Sequence, residues 1–264
     1  MTTSAPLPLS ILDLFSGIGG FSYAAEQLVG GFETIAFCDS DEPCRKVLRK
    51  HWPNTPIFTD VRSLQAKDIQ PLCPNGLSLI TAGFPCQDLS VAGKQAGYDG
   101  ERSVLFYEII RLAGELRPDF LLLENVRNLL SHKDGETFQE TLFQIAKAGY
   151  DAEWAVIPAS DLGACHRRER IWIIAHANNS RPQGQRPECE LPESGGEGAP
   201  TWSSGSPMLS PEWRSYLSQP VLRRGDDGLS GRVDRLKQLG NSIVPQVAVI
   251  PLQRIRHLAQ LTAQ

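Results

Sequence analysis

Short apolar runs alternate along this chain with segments whose apolar residues recur at helical spacing. Residues 10–15 (SILDLF) predict a strand, and a glycine-rich turn then opens a helix over residues 20–28. Residues 34–38 (TIAFC) predict a second strand, followed by a helix over 42–51 that Pro53 stops. Residues 77–82 and 120–123 predict buried strands, the second preceded by a helix over 103–116, and residues 154–157 and 171–175 add two more. Strands alternating with helices predict an α/β fold, a doubly wound, mostly parallel sheet covered on both faces. The texture changes near residue 177. Residues 178–211 are dominated by Gly, Pro, Ser, Gln and Glu, the composition of an irregular insertion. Residues 213–237 regain Trp, Tyr and arginines, and residues 243–261 predict a last helix, apolar on one face, with Pro245 tolerated near its start. The expected organisation is one main domain, residues 1–176 together with 237–264, and a small separate region, 177–236.

Composition narrows the class. A chain of 264 residues with 41% hydrophobic and 21% charged residues has the make-up of a globular protein. It holds no apolar run of about 18 residues and no basic-then-apolar leader, so neither a membrane span nor secretion is expected, and a cytoplasmic location is. The six cysteines include no C-x-x-C pair, so no metal site and no disulfide framework is expected. A net charge of −4 argues against a strong nonspecific nucleic-acid binder, but it leaves room for an enzyme with one local basic surface.

Candidate chemistry begins at the first turn. In Phe15-Ser16-Gly17-Ile18-Gly19-Gly20 the glycines let backbone approach a ligand, and a helix start favours an anionic group. Alone, the turn fits a tight bend, a nicotinamide dinucleotide or an adenosylmethionine. Asp39, followed by Ser40, ends the second strand, where a carboxylate accepts ribose hydroxyls. Asp60, followed by Val61, comes after a third short strand and could accept from an adenine amino group. Together these outline an adenosine-binding edge. Cys86, in Gly83-Phe84-Pro85-Cys86-Gln87, follows the apolar run LSLITA at the carboxyl end of a strand, where doubly wound folds place their chemistry.

The segments DLFSGIGGF, GFPCQDLS, LLLENVRNL, RRERIWIIA and QLGNSIVP occur in this order, and they resemble the ordered motifs of DNA cytosine-5 methyltransferases over nearly all the chain except about residues 177–233. The resemblance implies a Rossmann-like fold that binds S-adenosyl-L-methionine, with S-adenosyl-L-homocysteine as product. It implies that Cys86 attacks carbon 6 of a cytosine flipped out of double-stranded DNA. Glu124 would contact N3 and the exocyclic amine, Asn125 and Val126 would shape the base pocket, and Arg168 and Arg170 would position the base from alternate positions of one extended segment. Arg167 fits a solvated basic edge better. Phe15, Ser16, Gly17, Ile18, Gly20, Asp39, Ser40, Asp60, Val61, Gly83, Pro85, Leu105, Asn241 and Ser242 would hold the cofactor. Gln87 and Ser90 would meet the DNA from a lid over residues 87–102, and Arg223, Arg224 and Arg232 from a target-recognition region within 177–236. One departure stands out: Cys165-His166 occupies the place where Pro-Gln is usual, which leaves His166 without an assigned role. A monomer of bacterial or phage origin is expected, with a cognate restriction endonuclease as an optional partner. A nicotinamide oxidoreductase would not need the later motifs, a tRNA-methylating relative would carry a Cys-Phe-Thr signature absent here, and a catalytically silent DNA-binding relative would not need Cys86, Glu124 and Arg168.

Overall fold

The computed structural model describes residues 7–84, 103–178 and 242–262. Among the described residues seven strands form one sheet in the order β3-β2-β1-β4-β5-β7-β6. They are β1 (Leu9–Leu14), β2 (Phe32–Cys38), β3 (Ile57–Phe58), β4 (Leu79–Gly83), β5 (Phe120–Val126), β6 (Tyr150–Pro158) and β7 (Glu169–Ala177). β1, β4 and β5 are buried on both faces, which is why they read as unbroken apolar runs rather than as alternation. The first five strands are parallel, while β7 runs antiparallel to both β5 and β6. The two exceptions have a simple cause. β6 and β7 are joined through a single short helical turn, Ala159–Leu162, with no crossover helix to carry the chain back, so they can pair only antiparallel.

Helices cover both faces. On one, α3 (Ala66–Ile69), α4 (Ser103–Leu116) and α5 (Glu136–Lys147) bury Ile69, Phe106, Ile109, Leu112, Phe138 and Ile145 against Leu12, Ile80, Leu121 and Ile173. On the other, α1 (Gly20–Tyr23) and the closing helix α6 (Pro245–Thr262) bury Phe21, Val247, Leu252 and Ile255 against Ile11, Leu79, Leu122 and Trp172. The amphipathic α2 (Glu42–His51) ends where expected, before Pro53, and Arg45 and Arg49 both pair with its Glu42.

Several expectations shift in detail. The helix predicted over residues 20–28 is α-helical only through Tyr23, then widens into a π-helical stretch, Ala24–Val29, before Gly30 turns left-handed at φ 75°. β5 continues past Leu123 through Glu124 to Val126, so Glu124 is a strand residue. α5 was not anticipated, although its buried Thr137, Phe138, Thr141 and Ile145 lie at helical spacing. α6 carries Pro251 in its interior, which costs one backbone hydrogen bond there.

Candidate active site

The turn after β1 is fastened from beneath. Asp13, fully buried, accepts hydrogen bonds from Thr81 Oγ1 of β4 at 2.8 Å and Ser22 Oγ of α1 at 2.9 Å. Burial pushes its carboxyl up to about 7, against the pull of those two hydroxyls. Ser16 donates to the Asp13 carbonyl and accepts from the Cys38 amide, so its side chain binds the turn to β2, and only its backbone remains to meet a ligand. Phe15 holds φ 52°, a conformation unusual for a bulky residue and a mark of imposed geometry.

The turn also presents an opening toward the end of β2. The Gly17 amide donates to Asp39 Oδ2 at 2.7 Å and the Asp41 amide to Oδ1 at 2.8 Å, which fixes the carboxylate and leaves each oxygen further acceptor capacity. Burial raises the Asp39 carboxyl above its ordinary value. Among the described residues nothing lies within 4 Å of where a Gly17 Cβ would stand, which leaves the backbone there open to a ligand. Asp60, just past β3, is partly exposed and paired with Arg62 at 2.8 Å, which lowers its carboxyl. Val61 is buried in the core, Ser40 is exposed, and Phe15 and Leu105 pack half-buried on the same core cluster. Donor-lined backbone, a pinned carboxylate on β2 and a second one past β3 are the groups that an adenosine with a charged tail requires.

Gly19 and Gly20 were read only as freedom of approach, yet each has a packing reason. A Cβ on Gly19 would stand 2.6 Å from the Trp52 ring, at φ 85°, and one on Gly20 would stand 3.2 Å from the Ile243 carbonyl oxygen. Trp52 is held in turn by its Nε1, which donates to Glu26 at 2.8 Å. Ile18, Gly20, Ser242, Arg168, His166 and Tyr23 border a cavity of about 740 Å³ on this flank. Asp39, Asp60, Val61 and Leu105 do not border it, so the cavity meets the predicted cofactor set at one end only.

The second half of the site sits where β4, β5 and β7 end. Register pairs Gly83 with Glu124 and Val126 with Arg170. Glu124 Oε1 meets Arg170 Nε at 2.9 Å, both side chains largely buried. Burial raises the Glu124 carboxyl, while Arg170 and then Arg168 draw it back down. Gly83 keeps space open beside it: a Cβ there would lie 3.5 Å from Glu124 Oε2 and 3.6 Å from the Ile243 side chain. Arg168 reaches this group by another route than expected. It lies before β7 at φ 30°, not on an extended segment, and its Nη2 donates to the Ser242 carbonyl at 2.7 Å. That bond ties the start of β7 to the chain entering α6, and it brings Ser242 and Arg168 together.

Neighbours on a strand face opposite ways, so Asn125 points away from Glu124. It is buried, and its Nδ2 donates to the Phe84 carbonyl at 3.0 Å, bracing the exit of β4 that leads toward Cys86. Val126 is 37% exposed, at the rim. His166 is exposed beside Arg168 on the cavity wall. Cys86, Pro85, Gln87, Ser90, Asn241, Arg223, Arg224 and Arg232 lie outside the described residues, as do the lid and nearly all of region 177–236. Among the described cysteines, Cys38, Cys44 and Cys73 are buried, and burial pushes the Cys38 thiol up to about 12, too high for a nucleophile. Asp13, Trp52 and Ile243 went unnoticed in the sequence because their importance lies in partners distant along the chain.

Residues 9–212 match the family of C-5 cytosine-specific DNA methylases. The chain belongs to the C-5 cytosine-specific DNA methylase family. It is 34% identical to the type II methyltransferase M.DsaV of Dactylococcopsis salina over 166 residues, 63% of this chain and 45% of that protein. It is 33% identical to M.HhaI of Haemophilus parahaemolyticus over 173 residues, 65% and 50% of the two chains. Among solved structures, a prophage-encoded E. coli protein described as a DNA modification methyltransferase aligns with a TM-score of 0.54 and 29% identity, covering 64% of this chain and 47% of the other. The chain therefore spans about half the length of the curated methylases it matches.

Proposed function

We propose that this methylase transfers a methyl group from S-adenosyl-L-methionine to carbon 5 of a cytosine flipped out of double-stranded DNA, with Cys86 as covalent nucleophile. The observation that carries the reading is the buried Glu124–Arg170 pair beside the gap at Gly83, on the strand next to the one that leads to Cys86. A carboxyl raised by burial and held by guanidiniums is suited to deliver a proton to a ring nitrogen and take it back.

The Cys86 thiolate bonds to carbon 6 of the base, and the electron pair displaced from the 5,6 double bond runs toward N3, where Glu124 delivers its proton. Carbon 5 is thereby made enamine-like. When bound, S-adenosyl-L-methionine supplies carbon 5 with its methyl group from a sulfonium. Glu124 recovers the proton from N3, and carbon 5 then gives up its own proton to a water molecule as the Cys86 thiolate is expelled and the 5,6 double bond re-forms. Arg170 and Arg168 keep Glu124 oriented and face the base, and Asn125 braces the backbone before the nucleophile. Gly17, Ile18, Gly20, Asp39, Asp60 and Ser242 would hold the cofactor, with Phe15, Ser16, Ser40, Val61, Gly83, Pro85, Leu105 and Asn241 around it. Residues 177–236 would read the DNA sequence, with Arg223, Arg224 and Arg232 among the contacts, while residues 1–176 and 237–264 carry the chemistry. Among the described residues no helix is long and apolar enough to cross a membrane; a cytoplasmic monomer in a bacterial or phage-infected cell is the setting we propose, with or without a cognate endonuclease.

The test is transfer of tritiated methyl from S-adenosyl-L-methionine to duplex DNA and, separately, to tRNA, for the wild type and Cys86→Ala. DNA labelling that the variant loses by at least about a thousandfold is expected. Labelling of tRNA alone, or undiminished labelling by a folded variant, would defeat the proposal.

A further inference from the structure

A chain with net charge −4 must gather positive surface where it is to meet a polyanion. Such a gathering stands at the rim of the Glu124 pocket. Val126 lies opposite Arg170 where the pairing of β5 with β7 ends, and the residues next to them, Arg127 and Glu169, form an ion pair. Glu169 Oε2 takes Arg127 Nη1 at 2.9 Å, and Oε1 takes Arg167 Nη2 at 2.9 Å and Nε at 3.0 Å. The Glu169 side chain is only 19% exposed, whereas Arg127 and Arg167 are 58% and 76% exposed. One shielded carboxylate thus holds two outward guanidiniums side by side. Each guanidinium has five N–H donors, and these bonds use one from Arg127 and two from Arg167. A phosphodiester offers the same paired, anionic oxygens that Glu169 does.

We propose that Arg127, Glu169 and Arg167 form a phosphate seat for duplex DNA at the rim of the base pocket, in which Glu169 pre-positions the two arginines and restrains them until a backbone phosphate joins them. The proposal rests on the function argued above, because it assigns a place on this chain to the DNA strand flanking the flipped base. Exposed ion pairs are weak, so the arginines exchange partners readily. Glu169 meanwhile lowers the attraction of the rim for any polyanion, in keeping with a chain whose overall charge is acidic. Backbone contacts of this type position a duplex and carry no sequence information, which leaves sequence reading to other residues.

The experiment is fluorescence anisotropy of the full chain with a short fluorescein-labelled DNA duplex over a potassium chloride series. Wild type is compared with R127Q/R167Q, R127K/R167K and E169Q, with melting temperature and S-adenosyl-L-methionine affinity followed in parallel. The glutamine pair is expected to flatten the dependence of log K on log salt by about 0.9, the value for one lost phosphate contact. The lysine pair should keep most of the slope, and E169Q should tighten binding by up to about fivefold, the range of one exposed ion pair. R167Q alone, with a slope reduced by up to about 0.9, carries the test should the double variant not fold. A wild-type slope in folded R127Q/R167Q or R167Q overturns the seat and leaves the methylation proposal standing. Failure of the wild-type chain to bind duplex DNA overturns both.

Discussion

At the scale of single residues, the site is built from groups whose neighbours change their chemistry. Asp13 is the extreme case. Its folded carboxyl sits near 7 against an ordinary 3.8, so between about pH 4 and pH 7 the folded chain holds a proton that the unfolded chain has lost. The contribution is fully present below about pH 4 and is lost as pH rises through about 7; a shift of this size amounts to about 4 kcal/mol. Asp13→Asn keeps the shape, and the Thr81 and Ser22 hydroxyls can turn to suit the amide. Relative to wild type, its stability from urea denaturation should therefore rise by roughly that amount across the same window and stay level above it. Parallel profiles would show that the carboxyl is not protonated in the fold. Glu124 illustrates how far residue-level reading reaches. Three preceding leucines make burial legible in the sequence, and the motif gives it a task, but its pairing with Arg170 at 2.9 Å and the gap at Gly83 depend on the register of three strands. Arg168 shows the converse: an extended reading of the RRER segment misses its left-handed φ, because the bond to the Ser242 carbonyl that accompanies it comes from 74 residues away.

At the scale of elements, the closing helix does more than cover the sheet. α6 packs on α1 and the π-helical stretch, and the residues that lead into it, Ser242 and Ile243, stand beside Arg168, Gly20 and Gly83. Leu252 is fully buried in that contact. Leu252→Ala should cost about 2–5 kcal/mol of stability in chemical denaturation. Because it loosens the seat of α6, it should also weaken S-adenosyl-L-methionine binding in calorimetry, far from any cofactor contact. A destabilised variant with unchanged cofactor affinity would mean that Ser242 and Ile243 are held independently of the helix. The last helix was legible from its one-sided apolar pattern, and Pro245 from the tolerance of helix starts. α5 carries a similar one-sided pattern at Thr137, Phe138, Thr141 and Ile145. The π-helical widening after Tyr23 has no counterpart in the spacing of apolar residues.

At the scale of the whole molecule, the sheet divides two apolar layers and collects the functional groups along one edge, where the parallel strands end. Its central strands are buried on both sides, while β3 is two residues long and β6 exposes Trp154. Amide exchange should therefore be slowest in β1, β4 and β5 and fastest among strands in β3 and β6; equal protection throughout would contradict a graded sheet. The sequence by itself determined the alternation of strands and helices, the order of the motifs, the family, and the candidacy of Cys86 and Glu124. Those properties are written in local periodicity and in residue type at short spacing, which survive without knowledge of the fold. Only the tertiary structure decided that β7 inserts antiparallel between β5 and β6, that Asp13 is clamped by Thr81 and Ser22, that Trp52 backs Gly19, and that Glu169 gathers Arg127 with Arg167. Each of these is a choice of partner between distant segments. It is settled by register, by the absence of a crossover helix and by the summed packing of two layers, and no local pattern encodes that sum.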